Sequence, residues 1–378
     1  MKRINNLYDD ICNINNIINM TDKVCGRTKN KRKVHNFELY KLEHIYNIYN
    51  RLLNKKTCIE RYNIFMINDP KCRIIMAQEL DDKIINHLVA EYGLVKVFES
   101  KYIDSMCATR IGKGTLYGVK LLKKYLNEIK KKYDNFYILK IDISKYFYSI
   151  DHVILKRIIS DKIKDKDLLV VINKIIDSTN EEYINNKIIE LKENRINYLK
   201  DLNISNKNKL IEEVESIPLY KYGKGVALGN LTSQAFGLIY LYELNHYIKE
   251  ELKIKYIINY MDDFVIIHHD KDYLKNCLVK IIDKMNNDYK LDINEKKTKI
   301  NSIKNGVDFL GYRFYCKNNK VILKVRNQTK KRISNYHKYH DSEEDYKKYL
   351  IMSLSSYNGI LKWGSCRELY NKTIREFI

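Results

Sequence analysis

No two of the eight cysteines stand close together. They fall at Cys12, Cys25, Cys58, Cys72, Cys107, Cys277, Cys316 and Cys366. That scatter offers neither the paired spacing of a zinc knuckle nor the dense framework of a small secreted domain. Lone thiols of this kind suit reducing cytosol, so the expected compartment is cytoplasmic. Long apolar runs are also missing: nowhere do ~18 apolar residues follow one another, and Met1 to Asn6 lead into no apolar segment. A membrane role is therefore not expected.

Positive charge is abundant. The formal net charge is +22 over 378 residues, which attracts phosphate electrostatically. An AT-rich coding sequence also inflates Lys, Ile, Asn and Tyr, so charge agrees with a nucleic-acid partner without proving one. The 32 tyrosines read either as base-stacking platforms or as ordinary core and surface. At this length the chain should split into two or three subdomains, and 45% hydrophobic residues suffice for their cores.

The most telling segment is Tyr260-Met261-Asp262-Asp263. It lies between the β-branched and aromatic runs Lys255 to Tyr260 and Phe264 to His269, which predicts a tight hairpin with both aspartates at its turn. Asp-Asp at a hairpin tip is equally the chemistry of a solvated turn. Phe136 to Asp142 reads as a buried strand ending in a third acid. Carboxylates so arranged suit the joining of a 3′-hydroxyl to a nucleoside triphosphate. Negative charge develops there on the attacking, leaving and transferring groups, and two Mg²⁺ roughly 4 Å apart stabilise it. Magnesium prefers carboxylate oxygen, which His and Cys do not supply. His268 and His269, adjacent on one expected strand, should face opposite ways and form no metal pair.

Asp142 with Phe147 five residues on, the segment Gly225 to Gln234, and Tyr260 to Asp263 follow in an order that resembles the reverse transcriptases. A finer resemblance, to the reverse transcriptases of diversity-generating retroelements, rests on Phe98 to Thr115, Leu228 to Gln234 and Ser356 to Gly364. It spans about Tyr62 to Lys372. The implied fold class is α+β, a right-hand polymerase with fingers, a palm built on an antiparallel sheet, and a small helical thumb. The expected parts are an N-terminal helical extension over 1–60, with a basic loop from Gly26 to Lys33 read as a solvated charge run or an RNA contact, then fingers over 61–135, palm over 136–315 and thumb over 316–378. One departure from the family pattern is a charged helical stretch at about 178–216. It is either a partner- or RNA-binding hairpin or a neutral insertion.

The resemblance implies roles residue by residue. Asp142, Asp262 and Asp263 hold two Mg²⁺, with Ile143 a further metal contact and Mn²⁺ a possible substitute. Lys297, or its rival Lys296, donates a proton to departing pyrophosphate. Arg73 and Arg110, with Lys71 a weaker candidate, grip the triphosphate, since a guanidinium fork matches phosphate. Phe147 excludes the ribose 2′-hydroxyl unless it is plain core. Gly229 allows close backbone approach, and Gln234, standing where other bacterial branches carry proline, touches the nascent pair. Leu310 and Gly311 grip the primer end. The implied activity is RNA-directed DNA polymerisation on an RNA template, with a DNA or RNA primer and dNTPs. Its implied role is mutagenic copying with errors opposite adenine, beside a small basic accessory protein. Two alternatives stand: an anti-phage defence reverse transcriptase, and a non-catalytic RNA-binding scaffold, against which an intact carboxylate trio argues.

Overall fold

The computed structural model describes residues 3–55, 61–68, 71–204, 206–317, 320–335 and 371. Cys58, Pro70, Cys366, the Ser356 to Gly364 segment and nearly all of the expected thumb beyond Asn335 lie outside them. The chain forms two compact units, each assembled from three stretches. The first comprises Met1–Ile103, Ile143–His246 and Asp283–Asp292, and the second Asp104–Asp142, Tyr247–Ile282 and Ile293–Ile378.

In the first unit, the helices Tyr8–Cys12, Ile14–Arg27, Lys31–Leu39 and Lys41–Leu53 make up the N-terminal region. Ile17, Met20, Thr21 and Val24 recur at helical spacing and are buried, which gives the second helix one apolar face. The basic loop is shorter than its sequence suggests. Gly26 and Arg27 close one helix, and Asn30 caps the next by accepting from Lys33 N. Lysine and arginine are good helix formers once a cap is supplied.

Strands β1 (Asn63–Ile67) and β2 (Arg73–Ala77) pair antiparallel from Asn63↔Ala77 to Ile67↔Arg73. The charged stretch at 178–216 is a helical hairpin, Glu182–Asp201 and Lys207–Glu215, and it packs on these strands. Ile184 and Ile188 are fully buried in one cluster with Tyr62, Ile64, Ile74 and Met76. Tyr62 N donates to Tyr183 Oη at 2.9 Å, and Cys72 N donates to Glu213 Oε1 at 2.9 Å. The stretch therefore braces the β1–β2 hairpin. The helix Leu231–His246 is buried almost all round, as expected of one without a polar face.

The second unit carries the main sheet. Strand β3 (Tyr137–Asp142), the hairpin β4 (Tyr256–Tyr260) and β5 (Asp263–His268), and β6 (Lys299–Ser302) run in the antiparallel order β4-β5-β3-β6. Ile138, Leu139 and Ile141 of β3 are all buried, because this central strand is covered on both faces. Leu122 and Leu126 of the helix Thr115–Lys130 pack into the same cluster as Phe136, Ile258 and Val265. Strands β7 (Val307–Phe309), β8 (Tyr312–Lys317) and β9 (Lys320–Val325) form a second antiparallel sheet. Lys317 and the stretch Lys320–Val325 are thus strand, ahead of the helix Asn327–Asn335. Among the described residues no helix is long and apolar enough to cross a membrane.

Candidate active site

The β4–β5 turn places two acids against a third. Met261 and Asp262 are the two loop residues, and Met261 has φ +56°. Two-residue hairpins need such a left-handed conformation to match strand twist, and a non-glycine residue there costs on the order of 1–3 kcal/mol. The surroundings hold it in place. Met261 is buried, and its carbonyl accepts from Asn259 Nδ2 at 2.7 Å. Asn259 is itself fixed by backbone bonds, donating to Ser105 O at 3.0 Å and accepting from Cys107 N at 2.9 Å.

Pairing of β3 with β5 then puts Asp142 directly opposite Asp263, while Tyr260 faces Asp263 across the hairpin. Asp142 is buried. Its main chain is tied to the downstream loop, with Asn294 N donating to Asp142 O at 2.7 Å. Burial first, then the charges of Asp263 and Asp142, push the Asp262 carboxyl up to about 6. Crowded carboxylates behave this way when they share a site.

Two lysines hold the cluster. Lys297 Nζ donates to Asp142 Oδ2 at 2.7 Å and Oδ1 at 3.0 Å. Lys140 Nζ lies 3.2 Å from Asp263 Oδ1, yet that buried oxygen accepts no aligned hydrogen bond among the described residues. Lys140 was missed in reading the sequence. Its signal was the i, i+2 spacing to Asp142, which puts both on one face of β3. Among the described residues no trio of His, Cys, Asp or Glu is already closed to ion-binding spacing. The donor chemistry nonetheless fits a hard divalent cation: all-carboxylate ligands, mutual repulsion to relieve, and one buried oxygen without a donor.

The same unit contains Arg110, Leu310 and Gly311. The Arg110 guanidinium donates to Met106 O at 2.9 Å. Leu310 and Gly311 form the β7–β8 turn with φ +47° and +86°, and the Leu310 side chain packs against the core. The rings of His268 and His269 lie 4.4 Å apart, contrary to the opposite facing read from strand alternation. β5 ends at His268, so the alternation rule does not reach His269.

Ile143, Arg73, Phe147, Gly229 and Gln234 belong to the first unit. Ile143 is buried. Phe147 is half-buried beside fully packed Tyr146, and its carbonyl accepts from Val226 N at 2.8 Å. Gly225 and Gly229 have φ +89° and +115°. A Cβ at Gly229 would meet Ile75 Cγ2 at 3.0 Å, and Met76 N donates to Leu228 O at 2.8 Å. The glycine-rich segment is thereby bonded to Phe147 on one side and to β2, which opens with exposed Arg73, on the other. Gln234 is half-exposed on a helix whose neighbouring positions are buried, and its side chain makes no hydrogen bond among the described residues. Lys71, Lys296 and Lys297 are exposed.

The model of the family described as reverse transcriptase (RNA-dependent DNA polymerase) matches residues 54–314. The chain belongs to the reverse transcriptase family. Its right-hand polymerase fold follows from that membership. A solved apo telomerase from Candida tropicalis, truncated from its C-terminal domain, is similar at 17% identity and a TM-score of 0.40. The match covers 70% of this reverse transcriptase chain and 55% of the telomerase chain. The chain thus spans little more than half the length of that relative. No curated protein matches it. Family members use divalent metal ions, in keeping with the carboxylates around Asp262.

Proposed function

We propose that the protein makes cDNA from an RNA template by metal-dependent nucleotidyl transfer, as the mutagenic polymerase of a diversity-generating retroelement. The observation that carries the polymerase reading is the register that sets Asp142 opposite Asp263 at the mouth of the Asp262 turn. Asp142, Asp262 and Asp263, with Ile143 beside them in sequence, would hold two Mg²⁺, or Mn²⁺ in its place. Bound divalent metal supplies neutralisation of the charge that develops on the transferring phosphoryl.

The protein's own residues do the rest. Lys297, or Lys296 beside it, gives a proton to the leaving pyrophosphate. The Lys297 ammonium already sits on the Asp142 carboxylate, 2.7 Å from Oδ2. Arg73, Arg110 and Lys71 hold the triphosphate, Phe147 shuts out the 2′-hydroxyl, and Gly229 and Gln234 border the nascent pair. Leu310 and Gly311 position the primer end. Residues 61–135 act as fingers, 136–315 as palm and 316–378 as thumb, on an RNA template with a DNA or RNA primer, dNTPs and a small basic accessory protein, in the cytoplasm.

The retroelement role rests on the resemblance of Phe98 to Thr115 and Leu228 to Gln234, and on the polar Gln234 where proline is expected. A contact that merely alters fit changes discrimination by only ~1–3 kcal/mol, enough to raise errors without stopping synthesis. The bracing hairpin at 182–215 departs from the compact pattern, and the second reading is anti-phage defence, which shares the polymerase core. Sequencing cDNA made on a defined RNA by wild type and Gln234→Pro tests the role. Errors concentrated at template adenines and reduced in the variant are expected. Uniform, equal error rates in two active enzymes would remove the mutagenic reading and leave the polymerase intact.

A further inference from the structure

The turn between β7 and β8 carries a residue that its backbone does not favour. Phe309 pairs with Tyr312, so Leu310 and Gly311 form a two-residue loop with φ +47° and +86°. Loops of that kind take Asn, Asp or Gly at the first position, because a residue with a Cβ is strained at positive φ. A leucine there persists only where its surroundings fix it. A Cβ at Gly311 would meet nothing within 4 Å, so that side of the turn is open, whereas the Leu310 side chain packs inward on the core.

What receives Leu310 is a glycine of the helix Thr115–Lys130. A Cβ at buried Gly118 would lie 2.9 Å from Leu310 Cδ1, while Phe309 Cε1 at 3.6 Å and Cys107 Cβ at 3.7 Å would stay in ordinary contact. Gly118 has no positive φ, and glycine inside a helix is unfavourable. The helix thus gives up stability at this position, and Leu310 fills the space that results.

The same helix reaches the catalytic hairpin less than one turn earlier. Thr115 Oγ1 is 3.2 Å from the Tyr260 hydroxyl, and Tyr260 stands opposite Asp263. Val119 and Leu122 share one buried cluster with Ile258 and Val265 of that hairpin and with Phe309 and Phe314 of the second sheet. One rigid element therefore touches both the turn that bears the metal-binding acids and the turn that bears Leu310.

We infer that Gly118 and Thr115 are positioning residues that fix the primer end against the carboxylates, Gly118 by seating Leu310 and Thr115 by holding Tyr260. The inference rests on the assignment of Leu310 and Gly311 to the primer end. Carbon atoms are in ordinary contact from ~3.5 Å, so a methyl at Gly118 pushes Leu310 back by roughly 0.6 Å. Displacements of that order matter to a reaction that needs its atoms aligned.

Primer extension by the full-length chain on a defined RNA with Mg²⁺ tests this, with KM measured for annealed primer–template and for dNTP, and Tm alongside. Gly118→Ala should raise the KM for primer–template roughly tenfold and leave the KM for dNTP and the Tm at wild type. Leu310→Ala should raise the same KM. Gly118→Ala added to Leu310→Ala should change nothing further, since Cδ1 is gone. Thr115→Val should lower kcat severalfold at wild-type Tm, and Thr115→Ser, which restores the hydroxyl, should recover it. An unchanged KM for primer–template in Leu310→Ala removes the grip assignment and the inference with it. If Leu310→Ala raises that KM, the grip stands, and the inference alone falls on any of three results: Gly118→Ala lowers only Tm, the Gly118 and Leu310 effects add, or Thr115→Ser is as impaired as Thr115→Val.

Discussion

At Asp262 the fold and the chemistry pull in opposite directions. Burial and two neighbouring carboxylates raise its carboxyl to about 6, so the metal-free native state binds a proton more tightly than the unfolded chain. The contribution to stability is full at pH below the ordinary carboxylate value of 3.8 and is lost as pH rises through about 6. Asp262→Asn should therefore melt in EDTA at pH 7 no lower than wild type, while nucleotide addition with Mg²⁺ falls roughly 10³-fold or more and RNA binding persists. Extension by the variant at wild-type rate would sink the metal assignment. In the wild type, activity at fixed Mg²⁺ should decline as pH drops through about 6, and higher Mg²⁺ should carry that limb to lower pH because cation and proton compete for one carboxylate. Phe147, half-buried between core and solvent, is the next residue to test. Phe147→Ala should admit ribonucleotides in primer extension, and an unchanged discrimination ratio would return it to the core.

Among the elements, the β4–β5 hairpin was legible because β-branched runs flank two turn residues, and β3 because its apolar run ends in an acid. What the residues alone did not disclose were the cross-strand partners. Lys140 is one strand residue among many until pairing sets it beside Asp263. The stretch at 178–216 read as helical from its periodicity, but its bracing of β1–β2 depends on Ile184 and Ile188 finding Tyr62 and Ile64, contacts more than a hundred positions apart in sequence. In the glycine-rich segment, read from sequence as a place of close backbone approach, Gly225 leaves no room for a side chain. Its φ is +89°, and a Cβ would lie 2.7 Å from Tyr220 Cδ1 and 3.2 Å from Tyr148 O. Gly225→Ala should destabilise the protein by ~2 kcal/mol or more, seen as a lowered Tm, whereas Gly26→Ala, with open space around it, should not.

For the whole molecule, the net charge of +22 makes affinity for nucleic acid a function of ionic strength. RNA affinity should fall by about tenfold or more between 50 and 200 mM salt, and a flat dependence would assign the lysines to codon bias. The two interleaved units carry a different consequence, for biosynthesis. The first is incomplete without Asp283–Asp292, where Tyr289 O receives the Tyr240 hydroxyl at 2.7 Å and Lys290 reaches Asp151 at 2.9 Å. The second lacks its sheet edge until β6 at Lys299–Ser302 has been made. A ribosome that has released residues 1–282 has therefore finished neither unit, and folding of even the first during synthesis is held back until Asp292 has been made. Nascent chains must wait with apolar strands uncovered, and a nonsense codon before Asp283 would cost the cell both units at once.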